Sequence, residues 1–298
     1  MTRTLARSIS VAWLAAAVGL ACYGQAAAPE SASSLTRRAE KGDRAAQCAL
    51  ARLYIEGSGV PRNFAEAARW FRKAADTGYA EAEDGLGFLY DNGQGVPLDH
   101  AAAADWYRKA ALQGNSDAEF NLGSLYDTGQ GVPHDHAEAV RWYRKAAEHG
   151  DIDAAFDLGV MYELAQGVPR DFGEAMHWYR QAADRGVTLA QLAVGRLYAN
   201  GNGAAANAAE AVRWYRKAAE QGLAPALQEL SAAFAAGQGV PRDKVAALMW
   251  AELAVFRARG QAQKDYTAER DALARNLTPE QVGAAQRKAG EWKKKWAP

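Results

Sequence analysis

Apolar residues recur along this chain with a helical period. Ala118, Leu122, Gly123, Leu125 and Tyr126 fall at i, i+4, i+5, i+7 and i+8, one face of a 3.6-residue helix. Ala139, Trp142, Tyr143, Ala146 and Ala147 form a second such stripe, with Arg141, Arg144 and Lys145 between them pointing to water. The spacing predicts two antiparallel helices, A and B. Both stripes return every 36 residues, most visibly in ARWFRKAADTG from Ala68, ADWYRKAALQG from Ala104, VRWYRKAAEHG from Val140, MHWYRQAADRG from Met176 and EAVRWYRKAAEQG from Glu210. The Trp column is Trp70, Trp106, Trp142, Trp178, Trp214 and Trp250. A fixed period of this length predicts a stacked array in which no unit can bury its apolar face alone.

The A-to-B loops carry their own signature: GSGVPRN from Gly57, GQGVPLD from Gly93, GQGVPHD from Gly129 and GQGVPRD from Gly237. The first Gly supplies a left-handed end to helix A, and the Pro cannot continue that helix. Asn63/Glu66, Asp135/Glu138, Asp171/Glu174 and Asn207/Glu210 read as capping boxes for helix B. Ala165 stands where the capping Gly belongs in the fourth unit, and Ala204-Ala205-Ala206 replaces Val-Pro-X in the fifth, which predicts the loosest loop. These loops follow helices rather than strands and lack a Lys-Ser or Lys-Thr, so they do not read as phosphate cradles.

The period divides the chain into a short N-terminal capping half-repeat at 35–41, six repeats over 42–259 (42–77, 78–113, 114–149, 150–185, 186–221 and 222–259) and a C-terminal helical cap over 260–298. Two helices are expected in that cap, 262–276 and 279–296, the second opened by Thr278-Pro279-Glu280-Gln281. Ahead of the array, Arg3 and Arg7, an apolar run from Ile9 to Cys22 and the small residues Gly24, Ala26, Ala27 and Ala28 have the three parts of a secretory signal peptide, placed at 1–26 and followed by a flexible leader at 27–34. The expected location is periplasmic or secreted, with no integral membrane segment after signal cleavage. Gly19-Leu20-Ala21-Cys22 loosely resembles a lipobox, so a lipoprotein anchored at Cys22 is the alternative. Once the signal is cleaved after Cys22, Cys48 is alone and no internal disulfide can form.

Charge narrows the partners. The chain holds 35 Lys and Arg against 35 Asp and Glu, which leaves no footprint for nucleic acid. No cofactor and no catalytic or metal site is predicted: G-x-S-x-G and H-E-x-x-H are absent. His134 and His136 around Asp135, with His100 one loop earlier, are the nearest approach to a metal cluster and lack further ligands. Lys293, Lys294 and Lys295 read as a solvated helix end complementing the helix dipole, with anionic lipid binding as the less favoured alternative.

The pattern A-x-x-x-L-G-x-L-Y, then G-x-G-V-P-x-D, then E-A-x-x-W-Y-R-K-A-A resembles Sel-1-like repeats, relatives of tetratricopeptide repeats, from Leu35 to about Arg259. The resemblance implies an all-α fold, a right-handed α/α superhelical solenoid of helix-turn-helix repeats, and a non-catalytic scaffold that binds other proteins. A cysteine-rich branch of that family is linked to β-lactam chemistry, but it carries a Cys pair in each repeat and this chain does not. An enzyme of cell-wall or β-lactam chemistry is therefore the distant alternative. In related superhelices the A helices form the concave face. Packing leaves free there Glu81, Asp84, Phe88 and Asp91 in the second unit, Asp117, Phe120 and Asp127 in the third, and Asp153, Phe156 and Glu163 in the fourth. These residues are the candidate site for a protein or peptide partner bearing Lys or Arg and an apolar anchor, with Phe120 and Phe156 as central contacts. The other reading packs Phe120 and Phe156 between adjacent A helices and leaves the carboxylates as a solvated face.

Overall fold

The computed structural model describes residues 31–296. The expected signal peptide, half of the expected leader (27–30) and the lipobox at Cys22 lie outside the described residues. Fifteen helices follow one another, with no strand among the described residues: α1 (Ala32–Glu40), α2 (Arg44–Glu56), α3 (Phe64–Ala75), α4 (Ala80–Asn92), α5 (His100–Ala111), α6 (Ser116–Thr128), α7 (His136–Glu148), α8 (Ile152–Leu164), α9 (Phe172–Asp184), α10 (Thr188–Asn200), α11 (Ala208–Glu220), α12 (Ala224–Ala236), α13 (Lys244–Arg257), α14 (Gly260–Ala274) and α15 (Pro279–Lys295). The fold is an all-α repeat solenoid. It divides into two compact units, one ending at His134 and the other beginning at Asp135. The capping helix α1 starts three residues before the predicted Leu35, because the Ser31 hydroxyl accepts the Ser34 N–H and caps it.

Each loop is built as its residues dictate. Gly57, Gly93, Gly129, Gly201 and Gly237 all end their A helices in the left-handed region. The backbone N–H of the B-helix cap then returns to a carbonyl near the end of helix A, as in Asn63 to Tyr54 at 2.8 Å and Asp243 to Phe234 at 3.0 Å. The alanine-rich loop expected to be loosest makes the same bond, Asn207 to Tyr198 at 2.9 Å. The capping boxes form only in part. Asn63, Asp135, Asp171 and Asn207 each accept the expected backbone N–H, but Glu66, Glu138 and Glu210 turn forward to the arginine three residues on, and Glu174 accepts the Trp178 indole N–H. An arginine within reach gives the carboxylate a cationic donor, where the box gives it a neutral backbone N–H. The box at Thr278 and Gln281, which has no such competitor, is complete.

Ala165 is the lone non-glycine with positive φ among the described residues, at φ 56° and ψ 42°. The left-handed conformation costs a residue with a Cβ about 1 kcal/mol. Ala165→Gly is therefore expected to stabilise the second unit by roughly 1 kcal/mol, read as a higher urea midpoint with an unchanged slope.

In the first unit, α1 to α6 pack as neighbouring pairs around a core that includes Leu50, Trp70, Phe71, Leu86 and Leu89. Close approach within a pair is set by a glycine facing a ring: a Cβ on Gly87 would lie 2.7 Å from the Tyr107 ring, and one on Gly159 would lie 2.6 Å from Tyr179 in the second unit. The second unit's core continues into the C-terminal cap, where Ala285 and Ala289 are buried and Trp292 stacks on Trp250 at 5.2 Å.

The basic B-helix positions are less solvated than the pattern predicts. Arg72 and Arg108 reach across 18 residues to the hydroxyls of Tyr90 and Tyr126 in the next repeat's A helix, and Arg144 and Arg180 do the same to Tyr162 and Tyr198. Arg72 also lies 5.1 Å over Trp106, and Arg180 5.5 Å over Trp214. Lysines three residues past the Trp cover its other side, with Lys109 3.6 Å from Trp106 and Lys217 3.7 Å from Trp214. The amphipathic arginine stem packs while its head bonds, so these cations tie successive repeats together.

Candidate protein-binding face

The A helices of the first unit place the largest group of candidates. Asp84 is half-buried on α4, where its carboxylate Oδ1 accepts a hydrogen bond from Asn121 Nδ2 of α6 at 3.2 Å. Burial, then the neighbouring Asp117 charge, push its carboxyl up to about 7, against the opposing pull of Asn121 and of Arg52 on α2, while Glu81 pushes the same way as Asp117. Glu81 and Asp117 are exposed and form no ion pair among the described residues. Phe88 and Phe120 are half-buried on α4 and α6. The face thus carries three carboxylates and two aromatic rings, with Arg52 the cation that acts on Asp84 and Asp117.

Other candidates are engaged inside the fold. Asp91 holds His100 Nδ1 at 2.7 Å, across the loop that joins α4 to α5. Asp127 is half-buried near the end of α6. In the second unit, Asp153 is exposed in the first turn of α8, while the Phe156 ring packs on Tyr179 of α9 at 5.6 Å. Glu163 accepts the Tyr179 hydroxyl at 2.6 Å, and burial, then this carboxylate, hold that phenol well above its usual range. The ten candidates therefore fall on two units, seven on the first and three on the second.

Phe120 and Phe156 share one column of the 36-residue period with Asp84 and with the buried Cys48 and Leu192. That column looks toward neighbouring helices, which is why its large side chains are half-buried. His100 is committed to Asp91, while His134 is an exposed loop residue and His136 opens α7.

The structure also uses an acid that the pattern did not single out. Glu83 is buried on α4, one position away from the exposed face, and accepts a bond from Gln113 Nε2 at 2.7 Å. Burial raises its carboxyl, opposed by Lys109 and Gln113. Gln47 and Gln191, at the same place in their repeats, bond to the carbonyls of Ala39 and Ala183 at the end of the preceding helix. A polar residue recurring beside the apolar stripe is the sequence signal for this inter-repeat tie.

Asp84 makes the first unit's stability depend on pH. Its folded carboxyl titrates near 7, above the usual 3.8, so the folded state binds the proton more tightly. The contribution is complete below pH 4 and is lost as pH rises through 7. Asp84→Asn keeps the acceptor for Asn121 and removes the titration. The variant is expected to exceed the parent by about 1–2 kcal/mol at pH 8 and to match it below about pH 4, by urea unfolding at both pH values.

Comparison with known proteins agrees with this architecture. The Sel1 repeat family model matches residues 44–79, 80–115, 116–151, 152–187, 188–223 and 224–255. The crystal structure of c5321, a protective antigen present in uropathogenic Escherichia coli strains and displaying an SLR fold, is 35% identical with a TM-score of 0.77 over 88% of this chain. The chain spans 56% of that protein's length. A Sel1 repeat protein from Oxalobacter formigenes is 36% identical with a TM-score of 0.61, over 75% of this chain and 88% of its own. Among curated proteins none matches the sequence.

Proposed function

The chain belongs to the Sel1 repeat family, whose members are generally protein-interaction scaffolds, and from that premise we propose that it is a non-catalytic adaptor binding a basic partner segment on the A-helix face of its first unit. One observation carries this reading. Glu81, Asp84 and Asp117 crowd three carboxylates onto adjacent helices while the B-helix cations are occupied, Arg69, Arg108, Arg141 and Arg213 by acids three residues earlier and Lys73, Lys109, Lys145 and Lys217 by tryptophan rings. An incoming Lys or Arg offsets the Asp117 and Glu81 charges that add to burial in raising Asp84, and Phe88 and Phe120 on the same helices offer an apolar anchor.

The working location is the periplasm or the exterior, as the N-terminal sequence suggests, and none of the described helices is long and apolar enough to cross a membrane. Lipidation at Cys22 would tether the same adaptor to a membrane, and the mass of the mature N-terminus separates the two forms. The test of the binding face is selection from a random peptide library on the parent protein and on a Glu81→Lys, Asp117→Lys variant. Peptides selected on the parent are expected to combine Lys or Arg with an aromatic or aliphatic residue, and to lose at least about tenfold in affinity for the variant. Phe120→Ala is expected to weaken the same peptides. Selection of peptides without basic residues, or equal binding to a folded charge-reversed variant, would overturn the assignment.

A further inference from the structure

Charge is unevenly placed along this balanced chain. From Arg257 to the C-terminus, ten Lys and Arg face five Asp and Glu. The fold gathers much of this excess at the closed end of the second unit. The apolar side of α15 is already covered, since Ala285 and Ala289 are buried and Trp292 stacks on Trp250. What α15 leaves outward is cationic, with Lys294 and Lys295 exposed and Lys293 leaning back over the ring of Phe256 at 4.9 Å. Phe256 itself is 45% exposed, the one large exposed aromatic among the described residues, and it sits at the end of α13 beside the exposed Arg257 and Arg259. Trp296 anchors the terminus by donating its indole N–H to the Glu220 carbonyl at 2.9 Å.

We propose that this end of the protein docks on an anionic lipid surface, with Lys293, Lys294 and Lys295 among the headgroups and Phe256 at the interfacial layer. Lysine is a compact, hydrated point charge that needs no fixed partner geometry, which suits a fluid layer of phosphates better than a built pocket. A polybasic helix end near an aromatic side chain is the arrangement that gains from an anionic surface and from the membrane interface together. The ammonium groups of Lys293 and Lys295 lie over the rings of Phe256 and Trp292, at 4.9 Å and 4.2 Å, so these charges are held at the surface. Opposing charge on α15 is limited to Glu280 and Glu291, and Glu252 on α13 faces Arg270. The proposal uses no residue of the A-helix face and stands or falls separately from it.

Cosedimentation of the purified protein with vesicles tests it. The protein is expected to pellet with an equimolar mixture of phosphatidylcholine and phosphatidylglycerol, to remain in solution with phosphatidylcholine alone, and to be released as salt is raised. Lys293→Glu, Lys294→Glu, Lys295→Glu together are expected to lower the partition coefficient about a hundredfold. Phe256→Ala should lower it several-fold. Because Lys293 touches Phe256 of α13, a second variant, Arg287→Glu with Lys294→Glu, changes only exposed side chains and is expected to weaken binding as well. Equal pelleting with both vesicle types, or undiminished binding by the folded variants, would overturn the proposal. So would displacement from the vesicles by single-stranded DNA at equal phosphate, which would mark a general polyanion site.

Discussion

Trp214→Ala is expected to destabilise the second unit by about 3–5 kcal/mol. The indole is 4% exposed, with Lys217 on one side at 3.7 Å and Arg180 of the preceding repeat at 5.5 Å. Truncation removes a buried ring and also the surface on which two cations rest, so the repeat-to-repeat contact weakens together with the core. Arg213, its neighbour in sequence, has a side chain 74% exposed and an ion pair to Glu210, and Arg213→Ala should stay within about 0.5 kcal/mol of the parent. Urea unfolding followed by circular dichroism distinguishes the two. Near-equal losses would mean that the Trp column does not carry the stacking of the repeats.

The second large effect belongs to a glycine. Gly203 has φ 75°, and a Cβ there would lie 2.1 Å from the carbonyl oxygen of Phe172, at the start of the preceding B helix. Adding a methyl group imposes both left-handed strain and a collision with backbone that cannot rotate away. Gly203→Ala is expected to cost about 3 kcal/mol or more. Gly201, two residues earlier, also has positive φ, but its added Cβ would come no closer than 3.2 Å to Ala206 Cβ and 3.4 Å to Ala206 N. Gly201→Ala should therefore cost about 1–2 kcal/mol, the strain alone. The difference between the two, measured by urea midpoint, isolates the inter-repeat contact. The same collision recurs at Gly95 against Phe64, Gly131 against His100 and Gly239 against Ala208, so in these loops the second glycine of G-x-G is a spacer between successive repeats, whereas Gly59, with no full repeat before it, would meet only Ala32 Cβ at 3.6 Å.

The local architecture was legible because it is written repeatedly. Helix A, helix B, the left-handed glycine between them and the Asn or Asp cap each have a residue-level cause that operates within one repeat, and six near-copies make the pattern plain. What was not legible depends on distances between repeats. The Arg72 to Tyr90 bond spans 18 residues, the Arg180 contact with Trp214 spans 34, and both involve residues that a single-helix reading assigns to solvent or to packing alone. The capping boxes formed only in part for a local reason, since Glu66, Glu138 and Glu210 bond the arginine three residues on in the same helix. The role of the second glycine was hidden because its partner lies in the previous repeat.

The candidate face was legible as a set of positions and less so as a set of contacts. Column reasoning placed Asp84, Phe120 and Phe156 on the A helices, yet the pattern could not distinguish a side chain turned to solvent from one turned to its own repeat. Phe156 packs on Tyr179 and Glu163 binds the hydroxyl of that same ring, because the Tyr179 ring, set against Gly159, brings its edge and oxygen to α8. Asp91 is claimed by His100, a residue in the following helix. Glu81, Asp84 and Asp117 have no comparable cation committed to them beyond Arg52, and that imbalance sustains the binding proposal. A partner cation at this place also lowers the Asp84 carboxyl toward its usual value, so binding releases a proton and tightens between pH 6 and pH 8.

The most direct measurement of the central claim is site-specific photocrosslinking in cells that produce the protein. A benzophenone amino acid is placed in turn at Phe88 and Ser124 on the A helices of the first unit, and at Lys73 and Lys109 on its exposed B-helix positions. The account predicts a discrete protein adduct from positions 88 and 124, diminished when Glu81 and Asp117 are also changed to lysine, and none from 73 or 109. Adducts from 73 and 109 with none from 88 and 124 would contradict it.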